Sequence, residues 1–302
     1  MVYIELNGRI GNHLFQIAAG ASLAAAHNDN FCLVCHEDYL LAKPDNCFIR
    51  EYIRQFENTI FRGMEILDNR PSNYLYYSQA EYNYKPIEYF PNIMIHGTFH
   101  SELFFIQKTV HELFKIPESI KSYIIEKYGD ILLGGEITSI HVRRGDYCKI
   151  PHQYPVCSRK YFIDAINMIG INKKYLFISD DIQWCKNNFK GENFYFTDNE
   201  EVIIDLYIQT LCQNNILSNS TFSWWGAWLN QSNDKIIICP TPWYGKSKEV
   251  NLNVSDLIPE SWIQIKNPLS IKMKIVSEVL LMKEKVSNFA PKFLKTFLKK
   301  YL

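Results

Sequence analysis

Two adjacent arginines stand in His141-Val142-Arg143-Arg144-Gly145-Asp146-Tyr147, directly after a run that reads as a buried strand, Ile137–Val142. Arginine at a strand end is poor core material and good anion chemistry. Its planar guanidinium matches phosphate oxygens two at a time and stays charged at any physiological pH. Gly145 permits a tight turn, and Asp146 suits either the orientation of an arginine or contact with a second substrate. The plain alternative pairs both arginines with surface carboxylates. Further on, Ser218-Asn219-Ser220-Thr221-Phe222-Ser223 precedes Trp224-Trp225-Gly226-Ala227-Trp228. Hydroxyl side chains at a helix start satisfy its free N–H groups, and the same start attracts phosphate. Capping alone accounts for this segment in isolation. Opposite an Arg-Arg turn, a diphosphate clamp accounts for both.

Other chemistries fit less well. Neither segment resembles G-x-x-x-x-G-K-[ST] or G-x-G-x-x-G, which disfavours a P-loop ATPase or an NAD enzyme. Cys32 and Cys35 form C-x-x-C before His36, yet no second C-x-x-C or H-x-x-x-H completes four ligands, and Phe31–Cys35 reads as a buried strand. No metal site is expected. Ser179-Asp180-Asp181 suits Mg²⁺ in some transferases and equally an N-cap for the helix that follows. Arg144-Gly145-Asp146 is a cell-adhesion tripeptide only by chance recurrence, since the first residues do not read as a signal peptide.

The elements that position these residues alternate. Val2–Leu6 reads as a strand, Asn7–Asn12 as a glycine-punctuated turn, His13–His27 as a helix and Phe31–Cys35 as a strand, together a βαβ unit. Residues 40–90, rich in tyrosine, give no regular period. Ile93–His96 reads as a strand, Ser101–Phe114 as helical, and Pro117 opens a helix to about Tyr128. Gly134-Gly135 marks a boundary. Beyond it, strands at Ile137–Val142, Tyr175–Ser179, Asn193–Phe196, Ile216–Ser218 and Lys235–Cys239 interleave with helices at Ser158–Ile169, Ile182–Asn188, Glu200–Cys212 and Phe222–Asn230. Such alternation predicts an α/β fold with parallel sheets, whose ligands bind at the carboxyl ends of the strands.

A length of 302 residues fits two domains, and 47% hydrophobic with 21% charged residues is a globular balance. Aromatics at 15% suit either an aromatic core or sugar faces packed on rings. Net charge is zero, but Lys266 to Leu302 holds nine lysines against Glu278 and Glu284, so this tail carries +7 and residues 1–265 carry −7. A body of that sign disfavours nucleic acid as a partner. No run is long and apolar enough to span a membrane, so a cytoplasmic protein with reduced cysteines is expected. Over Lys292–Leu302, Phe293, Leu294, Phe297, Leu298 and Tyr301 share one helical face opposite Lys295 and Lys299, a basic amphipathic segment. It reads either as a helix packed on the body or as a peripheral anchor at the inner face of the cytoplasmic membrane.

Seven segments in order give the chain a family likeness. They are Gly8–Gln16, Gly97–Glu102, His141–Tyr147, Leu176–Asp181 with Trp184-Cys185, Asn219–Asn230, Pro240–Tyr244 and Pro259–Trp262. Together they resemble the bacterial α-1,2-fucosyltransferases of glycosyltransferase family eleven over about residues 4–265. His13 and His100 stand where the family carries glutamine, and Thr98 replaces an aromatic. The resemblance implies a GT-B architecture of two Rossmann-like domains facing across a cleft. Residues 1–133 would form the acceptor side, 134–265 the GDP-fucose domain, and 266–302 a basic helical tail. It implies an inverting, metal-independent transfer of L-fucose from GDP-β-L-fucose to the 2-hydroxyl of a galactose-type glycan, needing no cofactor. Arg143 would take the charge on departing GDP, with Arg144 beside it and His141 near the ribose or phosphates. Ser220, Thr221, Phe222 and Ser223 would bracket the diphosphate, and Asp205 would read guanine. Asp146 would act either as general base or as the holder of an arginine. Asn12 and His100 would line the cleft or meet the acceptor. The competing readings are a GT-B enzyme with another nucleotide sugar or linkage, and a catalytically inactive carbohydrate-binding protein, against which intact Arg143 and Arg144 argue.

Overall fold

The computed structural model describes residues 1–35, 49–134, 136–249 and 252–289. The first sheet comprises β1 (Val2–Glu5), β2 (Phe31–Val34), β3 (Ile66–Leu67), β4 (Leu75–Ser78) and β5 (Ile93–His96), ordered β3-β2-β1-β5-β4 with every pair parallel. Helix α1 (Ile10–Ala26) joins β1 to β2, and α2 (Ile49–Arg54) lies before β3. Alanine, leucine and isoleucine with no proline make α1 a strong helix former. It is buried on nearly every side because it packs on this sheet and also on the second half of the chain. A single turn at Glu102–Phe104, capped by Ser101, leads to α3 (Gln107–Leu113) and α4 (Glu118–Leu132). The helix expected over Ser101–Phe114 is therefore two short pieces.

The second sheet comprises β6 (Ile137–Val142), β7 (Lys174–Ser179), β8 (Phe194–Phe196), β9 (Asn214–Ile216), β10 (Ile237–Thr241) and β11 (Ile263–Lys266). Its order is β11-β10-β9-β6-β7-β8, again all parallel. Its helices are α5 (Arg159–Ile169), α6 (Ile182–Asn188), α7 (Val202–Thr210), α8 (Thr221–Trp228), α9 (Lys246–Glu249) and α10 (Ile271–Phe289). All six residues of β6 are buried, as expected of a central strand covered on both faces. Numbered within this half, the order is 3-2-1-4-5-6. In such sheets the ligand crevice lies where the winding reverses, here between the carboxyl ends of β6 and β9.

One continuous apolar core runs from β1 and α1 through α8 to β10. Phe15 of α1 meets Trp224 at 4.5 Å and Trp225 at 5.0 Å between ring centres, and Phe105 stacks on Trp225 at 5.3 Å. The three indole N–H groups of α8 are all partnered, two of them across the boundary between the halves. Trp225 donates to the Gly11 carbonyl at 3.0 Å, Trp228 to Glu102 at 2.9 Å and Trp224 to the Leu257 carbonyl at 2.8 Å. The halves are thus joined along α1 and α8, and exposure returns at the Ala25-Ala26 end of α1 and at the starts of both helices. Arg9 is exposed there, and Asn12, Thr221 and Phe222 are half-buried.

Candidate active site at the β6–β9 crevice

Strand β6 delivers His141 to Arg144 to the crevice, and β9 delivers Ser218 to Thr221. The two turns are tied together, since Ser218 Oγ donates to the His141 carbonyl at 2.7 Å and accepts from Arg143 N at 2.9 Å. The Arg143 guanidinium donates to Asp146 at 2.6 Å, lies 3.0 Å from Asp180, and sits 5.4 Å from the Tyr147 ring centre. Arg144 pairs with Asp181 at 3.0 Å and lies 4.2 Å above Trp184, while its backbone N–H donates to Asp180 at 2.9 Å. Gly145 is required here, because a Cβ on it would fall 2.6 Å from Asp180 Oδ2. Asp180 and Asp181 therefore anchor the arginine turn, and Asp181 also caps α6 by accepting from Trp184 N at 3.2 Å. Neither the Mg²⁺ reading nor the simple cap anticipated that anchoring. Among the described residues no group of three or more His, Cys, Asp or Glu is placed to hold a metal ion.

Opposite the arginines, two helix starts converge. A Cβ on Gly11 would lie 2.5 Å from Thr221 Oγ1 and 2.6 Å from Phe222 N, so the first turn of α1 abuts that of α8. Neither N-cap, Arg9 nor Ser220, makes a side-chain cap bond. In α1 the first N–H groups are largely taken, Ile10 N donating to Tyr52 OH at 2.9 Å and Asn12 N to the Arg9 carbonyl at 2.8 Å. The start of α8 therefore supplies the open N–H groups, and both helix dipoles point at one place, which favours an anion. Arg9 reaches to 3.5 Å from Asp146 and brings a third guanidinium. Thr221 Oγ1 donates to Asn12 Oδ1 at 3.2 Å, linking the halves at the mouth.

Two expected contacts are placed otherwise. Ser223 is fully buried and its hydroxyl donates to the Ser218 and Ser220 carbonyls at 3.2 and 3.1 Å, so it braces the turn and does not face a ligand. His100 is buried between Asn12, 3.3 Å from its Nε2, and Tyr244 OH, 3.4 Å from its Nδ1. Burial, with the Lys248 charge adding, pushes its pKa down to about 3, so it is a neutral spacer that fixes Asn12 and not a surface for an acceptor.

His141 is likewise buried, and burial and then Arg143 push its pKa down to about 3. Its Nδ1 has no hydrogen-bond partner among the described residues, and its ring lies 5.2 Å from Phe222. Asp205 stands on the first turn of α7, past the carboxyl end of β8. Burial, and secondarily Glu200, raise its pKa to about 8 against a hydrogen bond to Thr197. Its Oδ1 also lacks a partner among the described residues. At about 4.8 Å per strand, the β8 end is roughly 10 Å from that of β6, a span that suits the base and diphosphate of one nucleotide. Two features escaped the sequence reading. Tyr147 stacks on Tyr154 at 4.6 Å, and Tyr154 meets Tyr244 edge to face at 5.9 Å, behind Arg143. At the end of β1, buried Glu5 accepts from Arg70 at 2.7 Å and Tyr76 at 3.0 Å and lies 2.9 Å from His96. Burial raises the Glu5 pKa, but the bonds from His96 and Arg70 prevail and hold it at about 2.

Two doubly wound halves with an arginine turn at the switch point of the second define a GT-B architecture. The chain belongs to glycosyl transferase family 11, whose model matches residues 1–266, and it is a glycosyltransferase. It is 28% identical over 298 residues to the alpha-1,2-colitosyltransferase of Escherichia coli, covering 88% of this chain and 99% of that one. To the O-antigen biosynthesis glycosyltransferase WbnK of Escherichia coli it is 39% identical over 138 residues, 42% of this chain and 44% of that protein. A galactoside alpha-(1,2)-fucosyltransferase 1 from Leontocebus fuscicollis is 29% identical over 101 residues, 30% of this chain and 28% of that one. The chain thus spans under half the length of two of these relatives. Among solved structures, a family 9 glycosyl transferase from Veillonella parvula superposes with a TM-score of 0.50 at 12% identity, over 92% of this chain and 90% of that one. At that identity the likeness is one of fold.

Proposed function

We propose that the protein transfers L-fucose from GDP-β-L-fucose to the 2-hydroxyl of a galactose-type residue, inverting the anomeric carbon. The observation that carries this reading is the arginine turn facing the uncapped start of α8 at the sheet's switch point. In the proposed reaction the acceptor oxygen attacks C1 of fucose as the C1–O bond to GDP breaks, and the proton of the acceptor hydroxyl leaves to water or to the phosphate of the departing GDP. Negative charge grows on the β-phosphate, where Arg143, Arg144 and the N–H groups of α8 meet it, in the role that a divalent cation fills elsewhere. No enzyme nucleophile is needed. His141 Nδ1 and Asp205 Oδ1 gain partners in the bound nucleotide, Asp205 at the guanine N–H groups. Asp146 holds Arg143, since guanidinium groups flank its carboxylate, and is a positioning residue in this reading.

A second donor is favoured by the near full-length likeness to an alpha-1,2-colitosyltransferase. Colitose is L-fucose lacking its 3-hydroxyl, so both sugars suit one diphosphate clamp. Incubating the enzyme with GDP-fucose, GDP-colitose, GDP-mannose and UDP-galactose over an array of galactose-terminated glycans tests both readings. Fucosyl product carrying a 1,2-linkage supports the first. Colitosyl product alone replaces it with the second, and transfer from UDP-galactose alone removes both.

A further inference from the structure

Helix α10 turns Glu284 towards the body and its apolar side outward, with Glu278 at the edge of that outer side. Glu284 accepts from Ser247 Oγ at 2.5 Å and Gln153 Nε2 at 3.4 Å, and lies 3.3 Å from His152 Nε2. Glu278 pairs with Lys246 at 2.6 Å. Met273, Ser277, Leu280 and Leu281 are half-buried along that same inner side. Outward stand Ile271, Ile275, Val279 and Met282, exposed by 77, 60, 48 and 63%. Their spacing of four, four and three residues keeps them within one narrow stripe at 3.6 residues per turn. Lys272 and Lys283 border the stripe on one side, Lys274 and Lys285 on the other, all exposed and without an ion pair among the described residues. The segment Lys292–Leu302, where the sequence placed its amphipathic helix, lies outside the described residues.

We propose that α10 docks lengthwise on an anionic phospholipid surface. An apolar stripe with a lysine row on each side is the layout of an interfacial helix, with the stripe among the acyl chains and the ammonium groups reaching to lipid phosphates. Charge favours lipid over a second copy of the chain, because pairing two such stripes sets lysine rows against lysine rows. It also keeps the body off the surface, since residues 1–265 carry −7 and are repelled by an anionic surface. No described helix is long and apolar enough to cross the bilayer, so the helix lies on it. Through Glu284 and His152 the docked helix holds the segment that follows the arginine turn, keeping the crevice close to the lipid.

The test uses the full chain, sedimented at low salt with vesicles of phosphatidylcholine alone or mixed with phosphatidylglycerol. Binding to the mixed vesicles, absent on phosphatidylcholine and released by salt, is expected. The double variant I275E/M282E keeps its melting temperature, because both side chains are exposed, and loses about tenfold or more of that binding. Replacing Lys272 and Lys283 by glutamine weakens it while leaving the apolar stripe in place. Unchanged binding of the double variant overturns the assignment to α10, and so does failure of the native chain to bind at low salt. A dimer seen by light scattering and abolished by the same double variant also overturns it, giving the stripe to a second copy.

Discussion

At the scale of the residue, the arginine turn is where charge and chemistry meet. Arg143→Ala is expected to lose about 10²–10³-fold in turnover while the protein stays folded, and Arg143→Lys to recover little, since an ammonium lacks the fork. Steady-state kinetics beside circular dichroism check this, and near-normal turnover of folded Arg143→Ala removes the clamp. Activity should persist in excess EDTA if the arginines supply the positive charge, and silencing by chelation with rescue by Mg²⁺ would point to Asp180 and Asp181. Asp205 makes a prediction in pH. Its pKa is raised from the usual 3.8 to about 8, so the folded protein holds a proton that the unfolded chain releases. Stability therefore declines as pH rises between those values, and Asp205→Asn should flatten that decline in thermal melts. The same carboxyl must ionise to accept two guanine N–H bonds, so GDP binding should release a proton at pH values just below about 8, where the free carboxyl is protonated, read by calorimetry in buffers of different ionisation enthalpy. A binding heat independent of buffer would move the guanine contact elsewhere. The sequence singled out Arg143 and Arg144 because adjacent charges at a strand end are poor core material, whereas Asp205 was named only through the family likeness. The buried roles of His100 and Ser223 were not legible, because a polar side chain satisfied by distant backbone reads like one satisfied by ligand.

At the scale of the element, β1, β2, β5, β6, β7, β8 and β10 were legible as apolar runs bounded by turn residues, while β9, spelled Asn-Asn-Ile over Asn214–Ile216, begins before the Ile216–Ser218 expected. The edge strands β3, β4 and β11 were not legible. In β4, Leu75 and Tyr76 are half exposed, and β11 spells Ile-Gln-Ile-Lys against only one neighbour. Strands that bury little have little pattern to show. The meeting of α1 with α8 is the element contact that makes the site, and Gly11 sets its closeness. Gly11→Val would press two methyl groups on Thr221 and the Phe222 backbone, costing about 1–3 kcal/mol. The expected outcome is a lower melting temperature with a raised donor KM, because the α8 start must move. A variant with unchanged KM would show that the diphosphate does not use that helix start.

At the scale of the whole molecule, sequence alone suggested two bodies across a cleft, and Gly134 does fall between the sheets. What periodicity does not reveal is that Phe15, Phe105, Trp224, Trp225 and Trp228 belong to one core drawn from both halves. Pairings between such distant positions leave no local signature, whereas the aromatic run Trp224–Trp228 was visible only as a helix. A shared core makes the halves interdependent. Calorimetry should give one cooperative unfolding transition, and GDP should raise its midpoint, by about 2.7 kcal/mol of stability at a hundredfold excess over Kd. Trp225→Ala removes a fully buried indole and strands the Gly11 carbonyl, at a cost of about 3–5 kcal/mol. Because that indole lies in both halves' core, its loss should lower the single transition as a whole. Two separated transitions in the native protein, or a Trp225→Ala variant in which only one portion melts early, would mean that the halves fold independently and that α1 and α8 are merely in contact.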